Sequence, residues 1–488
     1  MNNDLDLLNS LALDIDSAID NERADLLIIL SDQINRLTKD EKAGSDNLRS
    51  TLTFYLSNIY QFLGARSGDI WENPDYANAI ICHRKFYRFK EYTENILHKV
   101  QINHANSLEY LCRVFEAIPL WKKGIVNPGE PQEVGLYRLA SGLLNLSGHL
   151  YDDSHTYYYQ LYSYKYLKAL KSKGFFYHSG IQSSLAAGSG SLTSKFLEHV
   201  QDSFDSAPDL LGHDYTPRHA KEEMRYRAWC KDNVLFLNPL NDLDSAWVVD
   251  HDVLSFPPYR TPVSQGPYLS ASFSSMKNEF CYYRHVFYEG TTKQYKRFID
   301  KDKYLTDTLD GVIYEGHIEK VKSALRGCFS VLDKISRLLD KYYNLNSKNI
   351  AFNRQWFCQQ KILQDQINPF LTALYWLSKD FSPHDGNELR PSYWLEDSAF
   401  EVRELRNELE HGWVRVVSDK KHQAAFWGNE HDYAYKLTSL ELIEKGMYVL
   451  KQTRNALMYM CLAINHTEKN HPKKDDDIIL SNDVPTIN

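Results

Sequence analysis

The sequence predicts a mainly α protein with three parts: α-solenoid-like helical repeats, an irregular connector and a C-terminal four-helix bundle. Three observations carry this. Apolar residues recur every three or four positions over most of both ends, as on a helix with one apolar face. Two capping boxes open long apolar runs near the C-terminus. Between the two helical regions, turn-forming residues break the periodicity. The predicted parts are residues 1–177 (helical repeats), 178–300 (linker and irregular connector), 301–466 (bundle) and 467–488 (a polar, disordered tail).

The N-terminal helices follow in order. Leu52, Tyr55, Leu56, Ile59 and Phe62 form one stripe. A second helix is expected from about Tyr76 to Val100. A third starts near Ala105 and carries Leu108, Leu111, Val114, Phe115 and Ile118. Another carries Leu136, Leu139, Leu143 and Leu146. Each helix alone leaves its apolar face in water, so stacked antiparallel pairs are expected. Ser57–Gly64 and Leu136–Asp152 resemble tetratricopeptide repeats, without a clean 34-residue period. His178–Ser194 is rich in small residues and reads as a linker. Leu235–Pro262 (LFLNPLNDLDSAWVVDHDVLSFPPYRTP) places Asn-Pro and Pro-Pro between short apolar runs, so long helices are not expected there. Helix resumes around Ser274–Tyr288.

The bundle is clearer. Ile318, Val321, Leu325, Phe329, Leu332, Ile335 and Leu339 mark a first long helix. A second spans about Asn353–Ser378, kinked at Pro369. A third opens with the capping box Ser398-Ala399-Phe400-Glu401, buries Val402, Leu405 and Leu409, and stops at Gly412. A fourth opens with Thr438-Ser439-Leu440-Glu441 and runs to about Ile464.

Net charge is −8, with 56 basic and 64 acidic residues. That argues against a surface that coats long nucleic acid, though not against a local cationic pocket. The seven cysteines form no CxxC pair, so neither structural zinc nor a disulfide framework is expected, and a reducing cytoplasm fits. No apolar stretch approaches the roughly 20 residues of a membrane helix, and no signal peptide opens the chain. The expectation is a soluble cytoplasmic protein. No phosphate-binding glycine loop occurs, so nucleotide-driven chemistry has no support and no cofactor is expected.

The candidate site is Arg406-Asn407-Glu408-Leu409-Glu410-His411, at the end of the third bundle helix. Histidine moves protons near neutral pH, and arginine holds a phosphate through paired hydrogen bonds. The spacing is uninformative, since chance supplies such a pair about once in a chain of this composition. Position carries the weight. At about 100° per residue, His411 points nearly opposite the Val402–Leu405–Leu409 stripe, with Asn407 on its own face. Arg406 lies roughly 140° round from His411. Joining them into one site calls for a second copy of the helix, hence a two-fold dimer. Glu410 is a supporting neighbour at a helix end where positive charge is favoured. Arg403, Arg415, Lys420 and Lys421 are possible RNA contacts, and with His422 they partly offset Glu404, Glu408 and Glu410, which repel phosphate.

A four-helix bundle with Arg-polar-x-x-x-His closing its third helix resembles the HEPN superfamily, and the wider chain resembles its LA2681-like group. Arg225–Leu243 (RYRAWCKDNVLFLNPLNDL) is similar to a stretch that precedes the bundle there. The resemblance implies a metal-independent RNA endonuclease acting as a homodimer through the bundle. His411 would serve as general acid or base, Arg406 would stabilise the phosphate and Asn407 would orient His411 or bind the phosphate. It also implies toxin-like or antiviral roles, with the helical repeats sensing a trigger or protein partner. Inactive members of the superfamily imply the alternative, a non-catalytic scaffold for protein interaction and dimerisation.

Other clusters read as structure first. His213-Asp214 with His219, and Asp250-His251-Asp252, match no established metal spacing. The tyrosines 157–159, 162, 164 and 166 suit packing better than base stacking. Arg84-Lys85, Arg88 and Lys90 suit a solvated helix face as well as RNA contact.

Overall fold

A computed structural model describes residues 2–39, 45–125, 133–172, 179–186, 189–205, 220–243, 249–292, 297–301, 311–365, 367–381, 397–417, 434–470 and 477–480. The chain is mainly α, with two two-stranded sheets among the described residues. It divides into two compact units, one built on Met1–Leu210 and the other on Leu211–Pro383 with Asp397–Asn488. No described helix is long and apolar enough to cross a membrane.

The N-terminal unit holds α1 (Asn2–Asp20), α2 (Ala24–Lys39), α3 (Asp46–Ala65), α4 (Pro74–Phe86), α5 (Glu94–Tyr110), α6 (Val114–Ile125), α7 (Glu133–Ser147), α8 (Asp153–Ser172), α9 (Ser179–Leu185) and α10 (Leu192–Asp205). Sequential neighbours pack as hairpins, α3 on α4, α5 on α6 and α7 on α8. The odd helices α1, α3, α5 and α7 touch in succession. This is the stacked-pair solution expected for helices with one apolar face.

Boundaries differ from the periodic reading. The helix expected over Tyr76–Val100 is broken. Asn73 caps α4, Thr93 caps α5, and each side chain accepts a hydrogen bond from a backbone N–H in the first turn. The helix expected through Ile118 is broken at Cys112, whose φ of 61° lies in the left-handed region. The expected linker includes α9 and α10. Ile181, Leu185 and Leu197 bury their side chains with Leu167 and Leu170 of α8. Packing also explains the tyrosine run, since Tyr159, Tyr162 and Tyr164 are buried in α8.

His83 and His104 face each other across α4 and α5, with ring centroids 5.2 Å apart and both residues buried. His83 Nδ1 and His104 Nε2 have no hydrogen-bond partner. Burial pushes the His83 imidazole down to about 3, and burial with nearby positive charge lowers His104 well below its ordinary range. The unfolded chain therefore binds more protons than the folded one below about pH 6.5, and stability falls as pH falls. The cost approaches about 1.4 kcal/mol per pH unit for each histidine until the folded groups titrate. Acidifying the full chain from pH 7 to 4.5 is expected to lower the protection factors of the α4 and α5 amides, taken against the intrinsic exchange rate at each pH. His83→Gln with His104→Gln should flatten that dependence, and an unchanged slope would refute it.

The C-terminal unit holds α11 (Lys221–Asp232), α12 (Tyr268–Thr291), α13 (Gly316–Tyr342), α14 (Arg354–Gln359), α15 (Lys361–Asp365), α16 (Pro369–Ser378), α17 (Asp397–His411) and α18 (Ser439–Asn470). The predicted stripe of α13 is buried from Ile318 to Leu339, each large side chain worth about 1.5–3 kcal/mol. α12 lies along α13 and α18. It comes close because Gly327 has no Cβ, which would sit 2.2 Å from the Tyr283 ring.

Residues 353–378 form three helices rather than one kinked helix. Asn368 accepts hydrogen bonds from Phe370 N and Leu371 N, and Pro369 opens α16 at a position where its missing N–H costs nothing. The capping box at α18 forms as expected. Thr438 N donates to Glu441 Oε2 at 2.8 Å, and Glu441 N donates to Thr438 Oγ1 at 3.2 Å. α18 runs on to Asn470. Beyond it, β4 (Asp477–Leu480) pairs antiparallel with β1 (Tyr259–Pro262), where a disordered tail was expected.

The irregular connector packs within this unit. Arg454 of α18 donates from Nε to Phe236 O and from Nη2 to Asn238 O, and ion-pairs with Asp242 at 2.5 Å. Arg284 of α12 binds Leu235 O and makes two 2.7 Å bonds to Asp252. Asp252, once a possible metal ligand, is thus engaged by a guanidinium. His213, Asp214 and His219 lie outside the described residues. No group of three potential metal ligands occurs among the described residues.

Candidate active site

α17 buries the expected stripe, with Val402, Leu405 and Leu409 each at most 4% exposed. Leu409 sets the phase of the last turn, so Asn407, Glu410 and His411 are exposed, as the helical wheel requires. Gly412 N continues the turn to Glu408 O at 3.1 Å. The Glu408 carboxylate folds back and accepts from Trp413 N at 2.9 Å. A Cβ on residue 412 would lie 1.8 Å from that carboxylate, so a larger residue there would displace the Glu408 side chain from this bond. One of the acidic groups set against phosphate is thereby occupied.

After the turn, β2 (Val414–Val417) pairs in parallel with β3 (Tyr435–Thr438), a pair the periodic reading did not foresee. Tyr435 N donates to Trp413 O at 2.8 Å, and Ile313 N donates to Val416 O at 2.7 Å. The segment behind His411 is therefore held on two sides. Trp413 is 68% exposed on this fixed backbone.

Arg406 takes a different direction. Its Nη2 lies 2.5 Å from Asp333 Oδ2 on α13, and its guanidinium sits 5.4 Å from the Phe329 ring centre. Asp333 is itself fixed, accepting from Phe352 N at 2.9 Å. Both partners are about a quarter exposed, 25% each, so the pair is worth at most about 1 kcal/mol. Among the described residues no hydrogen bond joins Arg406 to His411, and the Arg406 guanidinium turns to Asp333 instead.

One face of α13 lies under the whole segment. Lys322, Arg326, Phe329 and Asp333 recur at spacings of four, three and four. Lys322 Nζ donates to Val414 O at 3.1 Å, and Arg326 Nε donates to Leu409 O at 2.8 Å. Sequence reasoning missed these two cations because they lie some 80 residues before the motif. Their only local signal was position on the polar edge of an amphipathic helix. Arg415 is half-buried in β2. The Arg403 side chain, Lys420, Lys421 and His422 lie outside the described residues.

The family model described as LA2681-like HEPN matches residues 260–467, the C-terminal region. This region is similar to that family from β1 into the last turn of α18. The match takes in α12, which the sequence reading placed outside the bundle, and leaves out Arg225–Leu243, which that reading took as a family marker. No curated protein and no solved structure matches the chain.

Proposed function

We propose that the protein is a metal-independent RNA endonuclease of HEPN type, acting as a homodimer with a composite site. The observation that carries this is the placement of His411, exposed with Asn407 on the open face of the last turn of α17, within the matched region. One histidine takes the proton from a ribose 2′-hydroxyl, whose oxygen attacks phosphorus. A second, from the partner copy, gives a proton to the departing 5′-oxygen. Products carry a 2′,3′-cyclic phosphate and a 5′-hydroxyl. Arg406 stabilises charge growing on the phosphate oxygens. Its ion pair with Asp333 is weak enough for a phosphate to displace. The helical N-terminal unit presents RNA or senses a trigger, in keeping with toxin-like or antiviral roles.

A second reading, a non-catalytic interaction and dimerisation module, is favoured by the engagement of Arg406 with Asp333. Incubating the purified chain with mixed RNA, with and without EDTA, separates the two. EDTA-resistant cleavage leaving cyclic phosphate supports the nuclease. Cleavage abolished by EDTA refutes the mechanism, and dimerisation without cleavage under any condition favours the scaffold.

A further inference from the structure

We infer that Arg326 of α13 is a phosphate-contacting residue of the His411 site, an inference that rests on the RNA reading above. Its Nε bond to Leu409 O fixes the guanidinium at the C-terminal turn of α17, two residues before His411. Once that bond is made, its two Nη groups have no hydrogen bond or ion pair among the described residues, and the side chain is only half-buried. A guanidinium held by one N–H with the remaining fork open is preorganised for a phosphate. Lys322, one turn earlier, binds Val414 O on the other side of His411, so two α13 cations bracket the histidine in the chain. Arg406, by contrast, is engaged with Asp333, which lies about 10 Å further along α13. Arg326 is therefore the arginine at the histidine-bearing end of α17, within one copy of the chain. Its side chain and that of His411 belong to the same subunit, so this contact does not depend on the dimer.

The bland alternative is a structural cap on the last turn of α17, and salt dependence separates the two. Full-length protein carrying His411→Ala binds a labelled single-stranded oligouridylate without consuming it. Affinity is read by anisotropy across a salt series. Adding Arg326→Gln keeps a donor for the Leu409 carbonyl and removes the charge. It is expected to weaken binding several-fold and reduce the slope of log affinity against log salt by about 0.7, one phosphate contact on a single strand. Lys341→Gln, about 22 Å along the same helix, should leave both unchanged. Should Arg326→Gln lower the melting temperature, Arg326→Lys carries the test. It should keep the slope but lose affinity, because lysine lacks the fork. An unchanged slope in a folded Arg326→Gln protein, or full affinity in Arg326→Lys, overturns the inference and leaves the nuclease reading intact. Failure of the parent protein to bind RNA overturns both.

Discussion

Replacing His411 with alanine is expected to lower RNA cleavage by about 10²–10⁴-fold while leaving RNA binding and helix content in place. That range is what a positioned proton-transfer group contributes. The structure predicts clean separation because His411 is exposed and supports no described packing. The last turn of α17 is held by Leu409, by the Glu408 bond to Trp413 N and by Arg326, none of which needs the imidazole. Mixing the His411→Ala and Arg406→Ala chains tests how many histidines each site uses. The two-histidine site proposed above predicts no rescue, because a mixed dimer holds one His411. Rescue to about a quarter of the wild-type rate, one intact site in half of the dimers, would mean that each site joins one arginine to one histidine of the other copy and would refute the second histidine. A His411→Ala protein that cleaves at the wild-type rate would remove the histidine from the mechanism.

Replacing Asp242 with alanine is expected to destabilise the C-terminal unit by about 3–5 kcal/mol, because it strands a buried charge. The Arg454 and Asp242 side chains are each 1% exposed and bonded at 2.5 Å. Without the carboxylate, the guanidinium keeps two carbonyls and Asn455 Oδ1 as partners but no compensating charge. Replacing the pair together, Asp242→Leu with Arg454→Met, removes that charge. It then orphans Phe236 O at about 1–3 kcal/mol, while Asn238 O keeps its bond from Asn241 N. Both proteins should therefore unfold at lower urea concentration than wild type. A midpoint for Asp242→Ala equal to wild type would mean that the buried pair contributes no net stability.

Much of the architecture was legible because it rests on periodicity and local caps. The stripe of α13, the exposed face of α17 and the capping box at Thr438 follow from spacing and side-chain chemistry alone. What was not legible depends on contacts distant in sequence. The break before Thr93 falls inside a region that reads as continuous helix. The β2–β3 pair joins strands only four residues long, too short for a pattern. The direction of Arg406 was half legible: the helical wheel turned it away from His411, but nothing local names Asp333, 73 residues earlier, as its partner. Arg326 and Lys322 were hidden for the same reason.

The two arginines that hold the connector have a consequence for where this unit begins. Arg284 and Arg454 bind main-chain carbonyls of residues 235, 236 and 238, so distant residues help to fix the path of that segment. Its own side chains supply the local part, Asn238 accepting from Leu240 N and Asn241 from Phe236 N. The two ends of this lock are up to 218 residues apart, and the helical half and the irregular half each supply what the other lacks. A fragment cut at residue 301 would keep Arg454 and discard its acceptors. The smallest self-sufficient piece of this bundle is therefore expected to include the connector and to begin before residue 235.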